Sequence, residues 1–467
     1  MRLATAATAT LAALGGCATF SADGGFGAVQ QTVQARSGQD VAWARSDAER
    51  DMLSARVAEL AAQPLTVDSA VQIALLNNRG LQAGFQELGL AEADLVQASR
   101  LPNPRFSMLR TRRGEDFKIE QALTFNIFSL ITLPLARQIE QRRFEQVKVA
   151  VSLEALRLAS DARKAYFSAL AAEQVARYME QVKSAAEAGA DLARRMAQAG
   201  NFSRLAQARE QVFYADATAQ LARARAAAVA ARERLARLMG LPEPALLAKL
   251  PERLPDLPAA PNERTDLESL ALQQRLDLQA IRLQFEAFGR NLGLARTTRF
   301  LNALEFGPAR VLEGARSEPY KTGYEIAFEI PVFDFGGARI ARAQAIYAQA
   351  VELAAQAAID ARSEVREAYQ NYRASFDLAR HYRDEIVPLR KRISDENRLR
   401  YNGMLIGVFE LLADARAQVA SVNASIEALR DFWLAQSDLE MVLIGRPTRP
   451  MAILTGSPPA EGGAGGH

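Results

Sequence analysis

The same stretch of sequence occurs twice in this chain, and this repeat limits its possible folds more than any other feature. Residues 200–212 and 407–419 align without a gap, and eight of their thirteen positions are identical. The match extends outward to RKAY at 163–166 and REAY at 366–369. A repeat at this separation indicates a duplicated structural unit. The fold must therefore place two similar halves side by side.

The amino terminus has the form of a bacterial secretory signal. Residues 1–16 begin with Met-Arg, continue with small and apolar residues, and end before Cys17, the only cysteine in 467 residues. The apolar stretch is too short for a membrane-spanning helix. Its Leu-x-Gly-Cys pattern resembles a bacterial lipoprotein box, which implies lipidation of Cys17; a buried structural thiol is the alternative. By the same resemblance, Ala18 in the next position, where Asp is absent, implies sorting to the outer membrane.

Composition excludes several classes of function. The net charge of +3 is too small to favour binding of nucleic acid. No window after residue 17 has the 18 consecutive apolar residues of a transmembrane helix. Two histidines and one cysteine leave almost no ligands for a transition metal, and the sequence has no phosphate-binding glycine loop or nucleophile elbow. We therefore expect a protein that is not an enzyme and needs no metal or cofactor.

Long helical segments occupy most of each half. Between Pro134 and Pro242 the sequence has no proline and is rich in strong helix formers. Small or apolar residues recur there in steps of three or four, the heptad pattern of a coiled coil, at 144, 147, 151, 155, 158, 162, 165, 169, 172, 176 and 179. The pattern predicts long helices at about 137–199 and 338–402, roughly 95 Å each. It predicts shorter helices at about 66–101, 204–240, 265–299 and 405–445.

Each half also contains two segments in which apolar and polar residues alternate. Alternation with a period of two residues predicts strands with one apolar and one polar face. The strands would pair as hairpins at about 104–128 and about 300–333. The strands argue against a fibrous coiled coil, although soluble hairpins of a small β-domain remain an alternative. About ten residues per strand are enough to cross a bilayer. Four strands cannot close a barrel and open edges are not tolerated in lipid, so several copies must share one barrel, and three would supply twelve strands.

Several motifs, in order along the chain, are similar to the outer-membrane efflux protein (TolC) family in its lipidated branch, across about residues 64–447. They are LTVDSAVQIALLNN at 65–78, PVFDFGG at 331–337, EVREAY at 364–369 and RYNG at 400–403. The resemblance implies a mainly α fold with a membrane β-barrel contribution, in which three chains form one tube: a twelve-stranded barrel in the outer membrane and a twelve-helix barrel across the periplasm. It also implies docking on a periplasmic adaptor fed by an inner-membrane pump.

The repeat and the motifs divide the chain into six segments. They are a signal peptide at 1–16, a lipidated extension at 17–63, the first repeat at 64–240, a proline-rich linker at 241–263, the second repeat at 264–447 and a disordered tail at 448–467. The six prolines of the linker predict an extended strap. Pro388 predicts a kink in the second long helix, either to fit curvature or to allow movement. Residues 128–134 lack the Phe-Asp-x-Gly turn of 333–336, so the two corners are expected to differ.

The two helix-to-helix turns are the expected adaptor-contacting tips. Their residues are Gly200, Asn201, Phe202, Ser203, Gly403, Gly407, Val408 and Phe409. Gly200 and either Gly403 or Gly407 would supply the chain reversal. Phe202 and Phe409 are either exposed anchors for an adaptor or internal staples of the turns.

A candidate gate follows the second tip, at Glu410, Leu411, Leu412 and Asp414. Glu410 and Asp414 are four residues apart and so share a helix face. In a trimer Asp414 would form a ring of three carboxylates that filters cations and whose mutual repulsion raises their pKa; an ordinary solvated acidic face is the alternative. Leu411 and Leu412 would form a neighbouring apolar constriction.

The sequence therefore favours a passive exit channel in the outer membrane. Its partners would be two further copies of the chain, an adaptor and pump, and outer-membrane lipid. The main alternative is a periplasmic coiled-coil adaptor or scaffold lipoprotein without a pore. The transported substrate is not identified by any motif.

Overall fold

A computed structural model describes residues 19–242, 250–264, 266–300, 303–315 and 317–446, with residues 408 and 409 described by their backbone only. The signal peptide, Cys17 and the predicted disordered tail lie outside these residues. Within the described ranges no helix is both long enough and apolar enough to cross a membrane.

Helices and strands follow one another as the repeat predicts. An N-terminal pair comes first, α1 (Phe26–Ser37) and α2 (Asp47–Ala62). The first unit contains α3 (Val67–Asn77), α4 (Arg79–Ala98), β1 (Arg105–Arg113), β2 (Asp116–Asn126), α5 (Ile127–Gln198) and α6 (Arg204–Leu238). The second unit contains α7 (Leu267–Gln274), α8 (Leu276–Thr297), β3 (Leu304–Gly314), β4 (Lys321–Phe328), α9 (Gly337–His381), a π-helical turn (Tyr382–Ile386), α10 (Val387–Asn402) and α11 (Val408–Ile444). The predicted mainly α fold with two hairpins is confirmed.

The two strand pairs form one sheet. Its strand order is β1-β2-β3-β4, and all neighbours are antiparallel. The hairpins of the two repeats therefore join through β2 and β3, which leaves β1 and β4 as the two edges.

The heptad positions of α5 form the seam of the helical core. Ala155, Ala162 and Ala169 are completely buried there, because alanine lets neighbouring helices approach closely. Along its length α5 packs against α4, α6, α8 and α11. Residues 250–264 lie across these helices: Pro255 O accepts a hydrogen bond from Trp433 Nε1 at 3.2 Å.

The long helices differ from their predicted bounds. α5 begins at Ile127, ten residues before the predicted start, so that Pro134 lies inside the helix. Its 72 residues would extend about 108 Å. The second long helix is interrupted by the π-helical turn, where Val387 N donates to Tyr382 O, five residues back. Pro388 has no N–H and cannot continue the normal pattern, so the interruption falls where proline predicted it.

The helices predicted at 66–101 and 265–299 are each broken in two, at Asn78 and Arg275. Both residues have extended backbone. Asn78 accepts the Leu81 N–H at the start of α4 and donates from its side-chain amide to Leu238 O at the end of α6, at 3.0 Å. The prediction of single helices was wrong because a partner 160 residues away stabilises the break.

Buried ion pairs hold the equivalent break in the second unit. Arg275 is only 3% exposed; its guanidinium contacts Asp277 Oδ2 at 2.6 Å and Glu364 Oε2 at 2.9 Å. Asp277 also accepts the backbone N–H of Arg446 at 3.2 Å, and Arg446 contacts Glu364 at 3.0 Å. These contacts join α7, α8 and α9 to the end of α11.

Candidate functional site

One face of the sheet is largely apolar, and most of its apolar side chains are partly or fully exposed. Residues paired in register lie on the same face, which places Phe106 beside Leu123, and Phe306 beside Ile326. Tyr324, on the same face, is 72% exposed. We call this surface the apolar face; its strand residues are Phe106, Met108, Arg110, Arg112, Phe117, Ile119, Gln121, Leu123, Phe125, Leu304, Phe306, Pro308, Arg310, Leu312, Gly314, Thr322, Tyr324, Ile326 and Phe328. An exposed apolar surface of this extent indicates contact with lipid or another protein.

The opposite, polar face holds the remaining strand residues. It contains cross-strand ion pairs, such as Lys321 with Glu313 at 3.6 Å and Arg105 with Glu305 at 3.7 Å. Both edge strands, β1 and β4, are exposed at every residue. An open edge presents unpaired backbone groups to any strand that can add to it.

Gly307 allows close approach of β2 and β3 at the centre of the sheet. A Cβ at this position would lie 1.8 Å from Leu123 O and 2.7 Å from Leu123 C. Because these are backbone atoms, no side-chain movement would relieve the overlap. Only glycine fits here without separating the two hairpins.

The first tip follows the prediction. Gly200 has φ +79°, the left-handed conformation that reverses the chain after α5, and Asn201 N donates to Met196 O at 2.9 Å. Ser203 caps α6 by accepting the Ala206 N–H. Phe202 is half-buried in the turn.

The second tip uses a different residue for the reversal. Gly403 and Gly407 both have negative φ, whereas Met404 has φ +59°. The prediction that Gly403 or Gly407 makes the turn was therefore wrong. Gly403 caps the end of α10, and the left-handed position that follows the cap falls on Met404. Leu405 N then donates to Arg400 O at 2.8 Å and closes the turn. Met404 is 93% exposed and Leu405 is also exposed. The side chains of Val408 and Phe409 lie outside the described residues.

The candidate gate residues lie in the first turns of α11. Glu410 is exposed, and Leu411 and Leu412 are half-buried. Asp414 is only 8% exposed even in the single chain, and its Oδ2 has no hydrogen-bond partner among the residues that the structure describes. A buried carboxylate oxygen without a donor is costly, so this position differs from a solvated acidic face.

A contact between the two repeats lies beside these residues and was not predicted from the sequence. Arg416 of α11 reaches α6, where its guanidinium lies 3.6 Å from Glu210 Oε1 and 4.5 Å from the centre of the Phe213 ring. Glu210 is 2% exposed. Burial raises its pKa, while Arg416 acts in the opposite direction. The sequence contains one indication of this contact. The aligned repeat places Glu210 opposite Ala417, so an acid stands at a position that is small and apolar in the second repeat.

The two tip hairpins differ in packing. In the first, Met179, Val182 and Ala186 of α5 form an apolar cluster with Ala217 and Leu221 of α6. In the second, α10 is described throughout and none of its residues is buried within the single chain. The α10–α11 hairpin is therefore held less firmly by apolar contacts than the α5–α6 hairpin.

A charged groove of about 630 Å³ lies between α5, α9 and α11. Its walls carry ion pairs between elements, such as Lys164 Nζ to Asp438 Oδ1 at 2.9 Å. Across the described ranges, no group of three or more His, Cys, Asp or Glu side chains is arranged to hold a metal ion.

Solved structures provide the comparison with known proteins. No model of a protein family matches the chain, and no curated protein matches it. A crystal structure of a membrane protein from Pseudomonas aeruginosa is similar at a TM-score of 0.70 and 18% identity, covering 81% of this chain and 93% of that one. CusC, whose structures concern transmembrane channel formation, is similar at a TM-score of 0.68 and 18% identity, covering 81% of this chain and 92% of that one.

The outer-membrane channel CmeC of Campylobacter jejuni gives a TM-score of 0.66 at 17% identity, covering 82% of this chain and 87% of that one. The matches span both repeats and nearly the whole of each solved chain. This protein therefore has the fold of these outer-membrane channels, as the sequence resemblance implied.

Proposed function

We propose that this protein is the outer-membrane exit channel of a tripartite efflux system. It would conduct small molecules or ions passively from a periplasmic adaptor and pump to the outside. The observation that carries the proposal is the four-stranded sheet, which has an exposed apolar face and two open edges. The fold shared with outer-membrane channels supports it.

A homotrimer accounts for the open edges. Strand β4 of one copy would pair with β1 of the next, and three sheets of four strands would close a barrel of twelve. Closure satisfies the edge backbone groups, which lipid cannot do. The apolar face would then contact lipid and the polar face would line an aqueous bore.

Oligomeric mass and ion conductance together test this function. The full chain, purified in detergent, should have the mass of a trimer and produce discrete conductance steps in planar bilayers. A stable monomer without conductance would contradict the proposal and favour a periplasmic adaptor or scaffold lipoprotein.

A lipid anchor at Cys17 would add a second attachment to the outer membrane. The proposal rests on the lipoprotein-box pattern before that residue. Cys17→Ser should abolish labelling of the protein by fatty acid, and persistent labelling would exclude this site.

The adaptor would bind at the two tips. The first contributes Gly200, Asn201, Phe202 and Ser203, and the second Gly403, Gly407, Val408 and Phe409. Exposure of Met404 and Leu405 adds an apolar contact at the second tip. Replacing these two residues by aspartate should leave the purified channel conducting but abolish efflux in cells. Retained efflux would exclude them from the contact.

The gate would comprise Glu410, Leu411, Leu412 and Asp414 together with the Arg416–Glu210 contact. Arg416→Gln should increase conductance several-fold at pH 7, because it frees the weakly packed α10–α11 hairpin from α6. In the same recordings, Asp414→Ala should weaken block by multivalent cations. Unchanged conductance and unchanged block would remove these residues from the gate.

The gate contact should also depend on pH. Burial raises the pKa of Glu210 above its ordinary value of 4.5, so acidification neutralises it earlier than an exposed glutamate. Conductance of the wild type should therefore rise as pH falls toward that raised pKa. Glu210→Gln, which is neutral at this position, should have the higher conductance already at pH 7. The contribution of this group to folding stability also rises as pH falls, because the folded state binds this proton more tightly than the unfolded state does; that contribution is lost as pH rises through the raised pKa. A Glu210→Gln channel with an unaltered pH profile would contradict the assignment.

A further inference from the structure

Charges on the sheet are sorted by sign between its two faces. All five acidic strand residues lie on the polar face: Asp116, Glu120, Glu305, Glu313 and Glu325. The apolar face carries no acidic strand residue but holds three arginines, Arg110, Arg112 and Arg310. Four basic residues face the five acids on the polar face. No strand carboxylate offsets the three arginines; the acid beside their face is Glu318 of the β3–β4 loop, whose Cδ lies 3.9 Å from the position that a Cβ of Gly314 would take.

The three arginines form one patch toward the hairpin ends. Arg110 and Arg112 are two residues apart on β1, so their Cα atoms are separated by about 6.6 Å. Arg310 lies two strands away in register with Met108, so its Cα is about 12 Å from that of Arg110 and about 16 Å from that of Arg112. All three are exposed.

Aromatic rings and backbone or amide oxygens orient the guanidinium groups. Arg110 and Arg112 lie 5.6 and 5.2 Å from the centre of the Phe117 ring. Arg112 Nε donates to Gly114 O, and Arg310 Nε donates to Gln121 Oε1 at 2.6 Å. Arg310 also lies 4.9 Å from the centre of the Tyr320 ring. None of these partners is an anion.

The patch rises from within the apolar band to a headgroup level. Arg310 is six residues along β3 from Leu304, where the apolar face begins, which is about 15 Å along the membrane normal for a strand tilted by about 40°. Arg110 and Arg112 are in register with Leu312 and Gly314, so they lie about 20 and 25 Å from the level of Leu304. An arginine on a lipid-facing surface is tolerated near the interface but costly at the bilayer centre. The helices attach at the opposite end of the strands, so the patch lies on the side of the membrane away from them.

We propose that Arg110, Arg112 and Arg310 form a binding surface for the phosphate groups of a phosphorylated glycolipid in the outer leaflet. Guanidinium groups bind phosphate oxygens through paired hydrogen bonds, and the adjoining apolar face contacts the acyl chains. This inference rests on the proposed function, because it requires the sheet to be the membrane wall. Phosphatidylglycerol of the inner leaflet has the same anionic chemistry, but it lies at the other end of the strands.

Lipid binding to the full channel tests the proposal. Nanodiscs would contain diphosphoryl lipid A, the same lipid without phosphates, or phosphatidylglycerol, and bound lipid would be counted by native mass spectrometry. The variant combines Arg110→Gln, Arg112→Gln and Arg310→Gln. Its matched control combines Arg113→Gln, Lys118→Gln and Lys321→Gln, which removes the same charge from the polar face.

The wild type and the control should prefer diphosphoryl lipid A over the dephosphorylated lipid by about tenfold or more, and the arginine variant should lose that preference. The proposal is overturned if the arginine variant keeps the preference, if the control loses it equally, or if phosphatidylglycerol binds the wild type as well as lipid A does. Conductance distinguishes a failure of this proposal from a failure of the proposed channel function. A wild type that never inserts overturns both proposals, whereas conducting channels without lipid selectivity overturn this one alone.

Discussion

Gly307→Ala is expected to abolish assembly of the channel while leaving the helices folded. The added Cβ would overlap Leu123 O at 1.8 Å, so β2 and β3 must separate at the junction of the two hairpins. A divided sheet cannot present β1 and β4 as the edges of one wall. We expect a monomeric product without conductance whose helical circular dichroism remains near that of the wild type.

Gly323→Ala is the matched control for this prediction. Gly323 lies in β4, and a Cβ there would meet no atom within 4 Å. The control should assemble and conduct like the wild type. If both variants assemble, the close approach at Gly307 is not required; if neither does, the sheet is intolerant of alanine in general.

Arg275→Ala is expected to destabilise the protein by about 3–5 kcal/mol. The substitution leaves Asp277 buried and Glu364 largely buried without the cation that lies between them. It also loosens the joint at which α7 and α8 meet the end of α11. The loss should appear as a lower denaturant midpoint of the purified protein, followed by helical circular dichroism.

Arg366→Ala provides the comparison. Arg366 contacts Glu268 at 3.2 Å, but both side chains are exposed, and such a surface pair contributes about 1 kcal/mol or less. Equal midpoints for the two variants would contradict a stabilising role of the buried Arg275 cluster. Partial recovery in Arg275→Lys would indicate that charge, more than the shape of the guanidinium, holds the joint.

Local patterns in the sequence predicted most of the architecture. The heptad spacing identified the buried alanine seam of α5, and the period-two alternation identified the strands and the side on which most of their apolar residues lie, although Leu109 and Val311 are on the polar face. Both signals work because a helix or strand repeats its geometry over a few residues. The repeat added the order of the elements, and it placed the two tips at equivalent positions.

The candidate site was only partly predictable. The tips and the acidic start of α11 were located, but burial of Asp414 and the contact of Arg416 with Glu210 were not. The reversal at Met404 was also missed, because nothing about methionine favours a left-handed backbone. Each of these features depends on where a helix ends or on which neighbour faces it.

The sequence alone determined that this protein consists of two similar helix-and-hairpin units whose sheet has one largely apolar and one largely polar face. Tertiary structure decided where the helices break, at Asn78 and Arg275, and how the two units join, through Gly307 and the Arg416–Glu210 contact. The physical reason is the range of the forces involved. Helix and strand periodicity comes from neighbouring residues, whereas these joints depend on hydrogen bonds, ion pairs and steric limits between residues far apart in the chain.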